Sequence, residues 1–188
     1  MLLGFPQNNP EPGPPPRLRD NALMTELAAL KILNSPIGKI AIGTSENGLV
    51  KLDILTSGQT RAEFSDVPKA HKLALDAADQ LAGYFSGELR EFSVPSDLVG
   101  TDFQLAVWRE IANLGYGETC TYAEIAAAIG NPKAVRAVGG AVGANPIPLI
   151  IGCHRVLGAD RKITGYSGGE GIPTKRWLLD FEQISFSL

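Results

Sequence analysis

The chain has 188 residues and a mass of 20.0 kDa, is 44% hydrophobic and 20% charged, and carries a formal net charge of −3. That is enough for one ordinary domain or two small ones around a buried core, and it excludes a disordered or fibrous chain. Two cysteines, Cys120 and Cys153, are too few for a disulfide scaffold, no apolar run nears the roughly 20 residues of a membrane span, and Met1-Leu2-Leu3-Gly4-Phe5 meets Pro6 before a signal-peptide core forms. The expectation is a soluble intracellular protein with no membrane partner. No structural metal is expected, because a Cys/His zinc site would have to recruit both cysteines together with His71 and His154. Global charge names no polyanionic partner. Within 131–162, however, Lys133, Arg136, Arg155, Arg161 and Lys162 face only Asp160, around the densest Gly/Ala stretch.

Residues 1–22 hold Pro6, Pro10, Pro12, Pro14, Pro15 and Pro16 and read as a flexible, polyproline-like tail. Residues 23–97 read as a small α+β scaffold domain. Lys39–Thr44 and Leu49–Leu55 are β-rich runs flanking Glu46-Asn47-Gly48, a hairpin signal. Leu73, Ala77, Leu81 and Tyr84 recur at helical spacing, so Lys69–Phe85 is expected to be a helix stopped by Ser86-Gly87. Phe92-Ser93-Val94 suggests a further short strand. No chemical constellation stands out in this half.

A second domain is expected over 98–188. Thr101-Asp102-Phe103-Gln104 is a capping box, and Phe103, Ala106, Val107, Ile111 and Leu114 form the apolar face of the helix it opens. Thr121-Tyr122-Ala123-Glu124 is a second capping box, opening a short helix that Gly130 closes. Asn131 as cap and Pro132 at the first helical position predict another helix through Lys133–Ala144. Two short helices on a tight turn make a helix-turn-helix. The second has almost no side-chain bulk: Ala134, Ala137, Gly139, Gly140, Ala141, Gly143 and Ala144 surround Arg136. Each interior glycine costs roughly 1 kcal/mol relative to alanine. Tight packing against the protein or approach to a nucleic-acid groove would each supply a reason.

Asn145-Pro146-Ile147-Pro148-Leu149-Ile150-Ile151 reads as an extended apolar segment that delivers Gly152-Cys153-His154-Arg155-Val156. A cysteine there is either inert packing or a nucleophile whose proton goes to the adjacent histidine. Neighbours in a strand point to opposite faces, so contact between the two needs a bend or a bridging water.

At Gly152-Cys153-His154-Arg155-Val156 the chain resembles the O6-alkylguanine-DNA alkyltransferases. The likeness extends through Gly100-Thr101-Asp102-Phe103-Gln104, Val107-Trp108, Tyr116-Gly117-Glu118-Thr119, Thr121-Tyr122 and Ile125-Ala126. It continues in Arg136-Ala137-Val138-Gly139, Asn145-Pro146-Ile147-Pro148, Thr164-Gly165-Tyr166-Ser167-Gly168-Gly169 and Lys175-Arg176-Trp177-Leu178-Leu179, up to Glu182. It is weaker in the first half, where Ser35-Pro36-Ile37-Gly38 and Tyr84-Phe85-Ser86-Gly87 still fit. The resemblance implies an α+β fold: a ribonuclease H-like sheet and helix, then a mostly helical, winged helix-turn-helix-like domain. It implies direct repair without a cofactor, in which O6-alkylguanine flips out of double-stranded DNA and its alkyl group moves irreversibly to a thiolate.

Carried over by position, Cys153 would accept the alkyl group, His154 would draw off its proton through a water, and Glu182 would orient the imidazole. Tyr122 would help neutralise the departing guanine, and Asn145 would pin the segment between recognition helix and active site. Tyr166 and Ser167 would line the pocket, Ser167 with its backbone N–H near O6, and the Val156 carbonyl would meet the guanine amino group. Arg136 would fill the space left by the flipped base, with Thr121, Lys133, Ala137 and Gly140 also facing DNA. A monomer is expected, in the cytoplasm at the nucleoid of a prokaryote or in the nucleus of a eukaryote, with O4-alkylthymine a second candidate substrate.

The chain departs from the family where Gly152 and Gly115 replace prolines, which loosens backbone, and where Glu170–Thr174 adds about two residues to a loop near the expected pocket rim. Some members bind zinc through N-terminal Cys and His, but residues 1–99 contain no Cys. Cys120, Trp108 and Trp177 read as packing residues, Arg155 as a salt-bridge or phosphate partner, and Lys175 and Arg176 as a solvated helix start. A non-catalytic helix-turn-helix protein, binding lesions or regulating genes, is the alternative. A cysteine hydrolase, which would turn over, is a third.

Overall fold

The computed structural model describes residues 28–56 and 72–188. The proline-rich tail, His71 and the expected helix start at 69–71 lie outside that range.

Three antiparallel strands open the fold in the order β1 (Ala29–Ser35), β2 (Gly38–Thr44) and β3 (Leu49–Ile54). β1 is an element whose weak alternation gave no clear signal; its side chains are mostly half-exposed because it sits at an edge. Glu46–Gly48 makes the second hairpin, closed by the Ser45 N–H on the Gly48 carbonyl at 2.9 Å. Only glycine fits at 48, where a Cβ would stand 2.6 Å from the Pro95 carbonyl oxygen. Helix α1 (Lys72–Ser86) lays Ala74, Ala77, Ala78, Leu81 and Tyr84 inward against the sheet. Phe92–Val94 is not a strand. The chain there is irregular, and the next pairing is a single parallel bridge between Leu49 and Ser96.

The helical half holds α2 (Asp102–Ala112), α3 (Tyr122–Ala128), α4 (Val135–Gly143) and α5 (Ile172–Phe181), with a two-stranded parallel ribbon of β4 (Cys120–Thr121) and β5 (Val156–Leu157). Both capping boxes form, Thr101 with Gln104 and Thr121 with Glu124. Gly130, at φ +75, turns α3 toward α4. α4 starts later than its composition suggests. Residues 131–134 make a turn closed by the Ala134 N–H on the Asn131 carbonyl, and the helix begins at Val135 without a side-chain cap. The indole of Trp108, almost wholly buried, donates to the Ala141 carbonyl at 2.8 Å and ties α2 to α4.

One apolar core runs through both halves, from Ile40 and Leu81 to Val138 and Leu178. The edge of β3 is not left open. Its Leu52 N–H donates to the Pro146 carbonyl and its Ile54 carbonyl accepts from the Gly169 N–H. Covering this edge removes a template for mispairing. It also fixes the segments after α4 and before α5 that frame the site.

Candidate active site

The segment after α4 is not extended. Leu149 takes a left-handed conformation (φ +77), and residues 147–151 fold into a turn closed by the Ile151 N–H on the Ile147 carbonyl. Asn145 holds this turn at both ends: its side-chain amide donates to the Ile151 carbonyl at 2.8 Å, and its Oδ1 accepts from the Ile147 N–H at 3.1 Å. Cys153–Arg155 then form a single 3-10 turn. The chain therefore bends at the Cys153-His154 pair, and the two residues do not alternate as in a strand.

Cys153 is 5% exposed and lines a cavity of about 490 Å³ together with Tyr122, Arg136, Gly139, Gly143, Thr164, Tyr166 and Ser167. Burial pushes its thiol up, while Asn145, Lys175 and the Tyr166 hydroxyl oppose the rise. Among the described residues the buried Tyr166 hydroxyl has no oxygen or nitrogen partner, and the Cys153 thiol lies within its reach.

His154 is fully buried, and its Nε2 lies 2.9 Å from Glu182 Oε1. A carboxylate only accepts, so the proton of a neutral ring sits on Nε2. Nδ1 is then the free lone pair, and it is buried with no partner among the described residues. Burial first, then the charges of Arg155 and Lys175, hold His154 below its usual value against the pull of Glu182. The ring is therefore neutral near pH 7 and able to take a proton at Nδ1.

Glu182 caps α5 and is the hub of the site. Arg155, itself buried, grips it with two bonds, Nε to Oε2 at 2.8 Å and Nη2 to Oε1 at 2.9 Å. The Gly117 N–H reaches Oε2 at 3.2 Å, and the Tyr84 hydroxyl donates to Oε1 at 2.7 Å. Burial opposes ionisation, but the bonds from His154 and Arg155 outweigh it and hold the carboxyl well below the usual range.

Other expected residues stand as follows. The Tyr122 hydroxyl lies 2.9 Å from Thr164 Oγ1. Ser167 Oγ donates to the Gly143 carbonyl across the cavity rim at 3.2 Å. Val156 is buried outside the cavity lining, its carbonyl accepting from Lys175 Nζ at 2.6 Å. Lys133, Arg136, Ala137 and Gly140 are exposed, and Thr121 is half-buried in its cap. A Cβ at Gly140 or Gly143 would meet nothing within 4 Å, so packing within the protein does not account for these glycines. The buried face of α4 is Val138, Ala141 and Val142.

Lys175 is not solvated: it is fully buried behind Cys153, and burial brings its ammonium down to about 8. The salt-bridge reading of Arg155 holds: it is the buried partner of Glu182 and also donates to the Leu114 carbonyl at 2.6 Å. The glycines that replace prolines are held. The Gly115 N–H donates to Glu118 Oε2 at 2.7 Å, and the Gly152 Cα faces the Arg155 side chain, 3.0 Å from where a Cβ would sit. None of Glu170–Thr174 lines the cavity; Thr174 Oγ1 instead accepts from the Glu170 N–H. Cys120 is half-buried, and burial with Glu124 and Glu110 nearby pushes its thiol up to about 12, which leaves it unreactive near neutral pH.

Both halves of the chain are similar to known proteins. Residues 30–98 match the ribonuclease-like domain of 6-O-methylguanine DNA methyltransferase, and residues 102–184 match its DNA-binding domain. A methylated-DNA–protein-cysteine methyltransferase of Methanosarcina barkeri is 48% identical over 153 residues, 81% of this chain and 95% of that one. One from Mycobacterium bovis is 46% identical over 155 residues, 81% and 91% of the two chains. The crystal structure of Mycobacterium tuberculosis OGT in complex with DNA superposes with a TM-score of 0.73 at 44% identity, covering 82% of this chain and 93% of that one. Likeness of that depth, spread over both halves in order, has one source: the chain belongs to the methylated-DNA–protein-cysteine methyltransferase family.

Proposed function

We propose that this chain repairs O6-alkylguanine in double-stranded DNA by moving the alkyl group to Cys153, once per molecule and without a cofactor. The observation that carries the reading is the buried neutral His154, its Nε2 tied to Glu182 and its Nδ1 left as an acceptor with no partner among the described residues, one position after a cysteine at the wall of an open cavity.

The thiol proton passes through a water to His154 Nδ1. The thiolate attacks the alkyl carbon; an S–C bond forms as the C–O6 bond breaks, and the electron pair leaves on the guanine. Displacement at saturated carbon needs no oxyanion hole. The guanine anion is neutralised by a proton or hydrogen bond from Tyr122, whose hydroxyl stands at the cavity wall beside Thr164. Tyr166 and Ser167 flank the base, with the Ser167 N–H toward O6. The Val156 carbonyl, which accepts from Lys175 Nζ, keeps a second lone pair for the guanine amino group. The product is a thioether that nothing in the site hydrolyses, so the protein is consumed.

Outside the cavity, the bare exposed face of α4 fits a minor groove about 6 Å wide. Arg136 at the mouth replaces the flipped base, which offsets part of the few kcal/mol lost on extrusion. Lys133, Thr121, Ala137 and Gly140 extend that face along the backbone, where phosphate contacts give affinity without sequence reading. The reading includes a monomer acting at the nucleoid or in the nucleus, wherever the genome lies.

Intact-mass analysis after incubation with a duplex bearing O6-methylguanine, followed by peptide mapping, tests it. The expected result is one methyl group per chain, on Cys153, with no second round. Repeated turnover, or modification at Cys120 alone, refutes it.

A further inference from the structure

Among the described residues, four of the five donors that hold the Glu182 carboxylate come from the helical half: His154 Nε2, Arg155 Nε and Nη2, and the Gly117 N–H. The fifth is the Tyr84 hydroxyl, which reaches over from α1 of the sheet domain to Oε1 at 2.7 Å. That oxygen is the one His154 Nε2 approaches at 2.9 Å. Tyr84 is fully buried, and its ring is clasped by Phe85 and Phe92 of its own domain and by Tyr116 and Phe181 of the other, with centroids between 5.2 and 6.1 Å away. A ring so gripped has little freedom in where it aims its hydroxyl. Phenylalanine would fill the same apolar space, so the oxygen itself requires a reason.

We propose that Tyr84 is a positioning residue for alkyl transfer: its hydroxyl shares Glu182 Oε1 with His154 and limits how strongly the carboxylate draws on the imidazole. The inference rests on His154 acting as the base. A lone pair spent on Tyr84 is not available to the ring N–H. Without that bond, more of the carboxylate charge faces His154, the imidazolium is favoured, and the base is lost to protonation at a higher pH. Tyr84 stays a donor throughout, because burial first, and then Glu182, raise it far above the usual phenol range. The other charged or titratable groups around the pair are Arg155 on the 3-10 turn, Lys175 on α5, Tyr166, and Tyr116 with Arg90 over its ring. Tyr84→Phe leaves all of them in place.

The test uses the full chain. Single-turnover transfer from an O6-methylguanine duplex is followed by intact mass from about pH 5 to about pH 9, a range that brackets imidazole titration. Wild type, Tyr84→Phe and Phe92→Leu are compared, with thermal midpoints measured alongside. Phe92→Leu loosens the same aromatic cluster without touching Glu182. Tyr84→Phe is expected to move the acid inflection upward by about half a pH unit. Phe92→Leu is expected to lower the midpoint and leave the inflection in place. An unmoved or lowered inflection in Tyr84→Phe, or an equal rise in Phe92→Leu, overturns the proposal. Wild type that transfers without any acid inflection removes His154 as the base, and the role of Tyr84 with it. Wild type that never transfers sinks the function reading itself.

Discussion

Arg136 and Lys175 show how differently two cations in one domain can be used. Arg136 is exposed at the cavity mouth, where a guanidinium can enter a duplex but does not touch the sulfur. Arg136→Ala should therefore slow repair in duplex DNA about tenfold, since part of the flipping cost is no longer offset. It should leave reaction with free O6-benzylguanine nearly unchanged. Parallel mass time courses on both substrates check this, and equal losses would show that the side chain serves the pocket and not extrusion. Lys175 is spent inside. Its ammonium, brought down to about 8 by burial, lies close enough to Cys153 to favour the thiolate. The Cys-His pair and its glutamate were legible because a motif displays them; Lys175 was not, since a lysine in the first turn of a helix gives no sign of facing inward. Tyr84 was hidden for a related reason. Its helical spacing marks the ring as core, and nothing in a periodicity says where a phenol oxygen points.

At the level of the element, α4 is where local propensity and fold disagree. Gly139, Gly140 and Gly143 weaken a nine-residue helix that has no N-terminal side-chain cap, and Gly140 and Gly143 look onto open space. Replacing Gly140 by Ala should stabilise the protein by about 0.5–1 kcal/mol. Replacing it by Leu should cost about tenfold or more in duplex affinity, because a groove about 6 Å wide has no room for the side chain. Thermal midpoints and DNA titrations at fixed salt measure the two effects. Loss of stability in Gly140→Ala would mean that the glycine answers to a fold constraint after all. The capping boxes and the helix-turn-helix were readable from local chemistry alone, since each rests on residues three apart. The turn at 145–151 was not. Its prolines suggested extension, but the bonds that fold it come from Asn145, and the path is fixed by the β3 edge more than ninety residues upstream in sequence.

Across the whole molecule, Glu182 is the point where the sheet domain, the Tyr116–Gly117 loop and the reactive turn meet, and that sets how the protein responds to acid. Removing its charge in Glu182→Gln strands the buried Arg155, at a cost of about 3–5 kcal/mol. The thermal midpoint should fall by about 10 °C at neutral pH. The pH dependence separates this carboxylate from its neighbour. His154 is held below its usual value, so the unfolded imidazole protonates first and stability declines as pH falls below about 6.5. Glu182 is also depressed. Its contribution is complete above the unfolded carboxyl value near pH 4.3 and is lost as pH falls further toward the folded value. Wild type should thus lose stability in two stages. Glu182→Gln should keep the upper stage, flatten below about pH 4, and converge on wild type there. Denaturant midpoints taken down the pH scale decide the matter: parallel curves for the two proteins below pH 4 would mean that other carboxylates govern the acid transition and that the junction of the two halves is secured elsewhere.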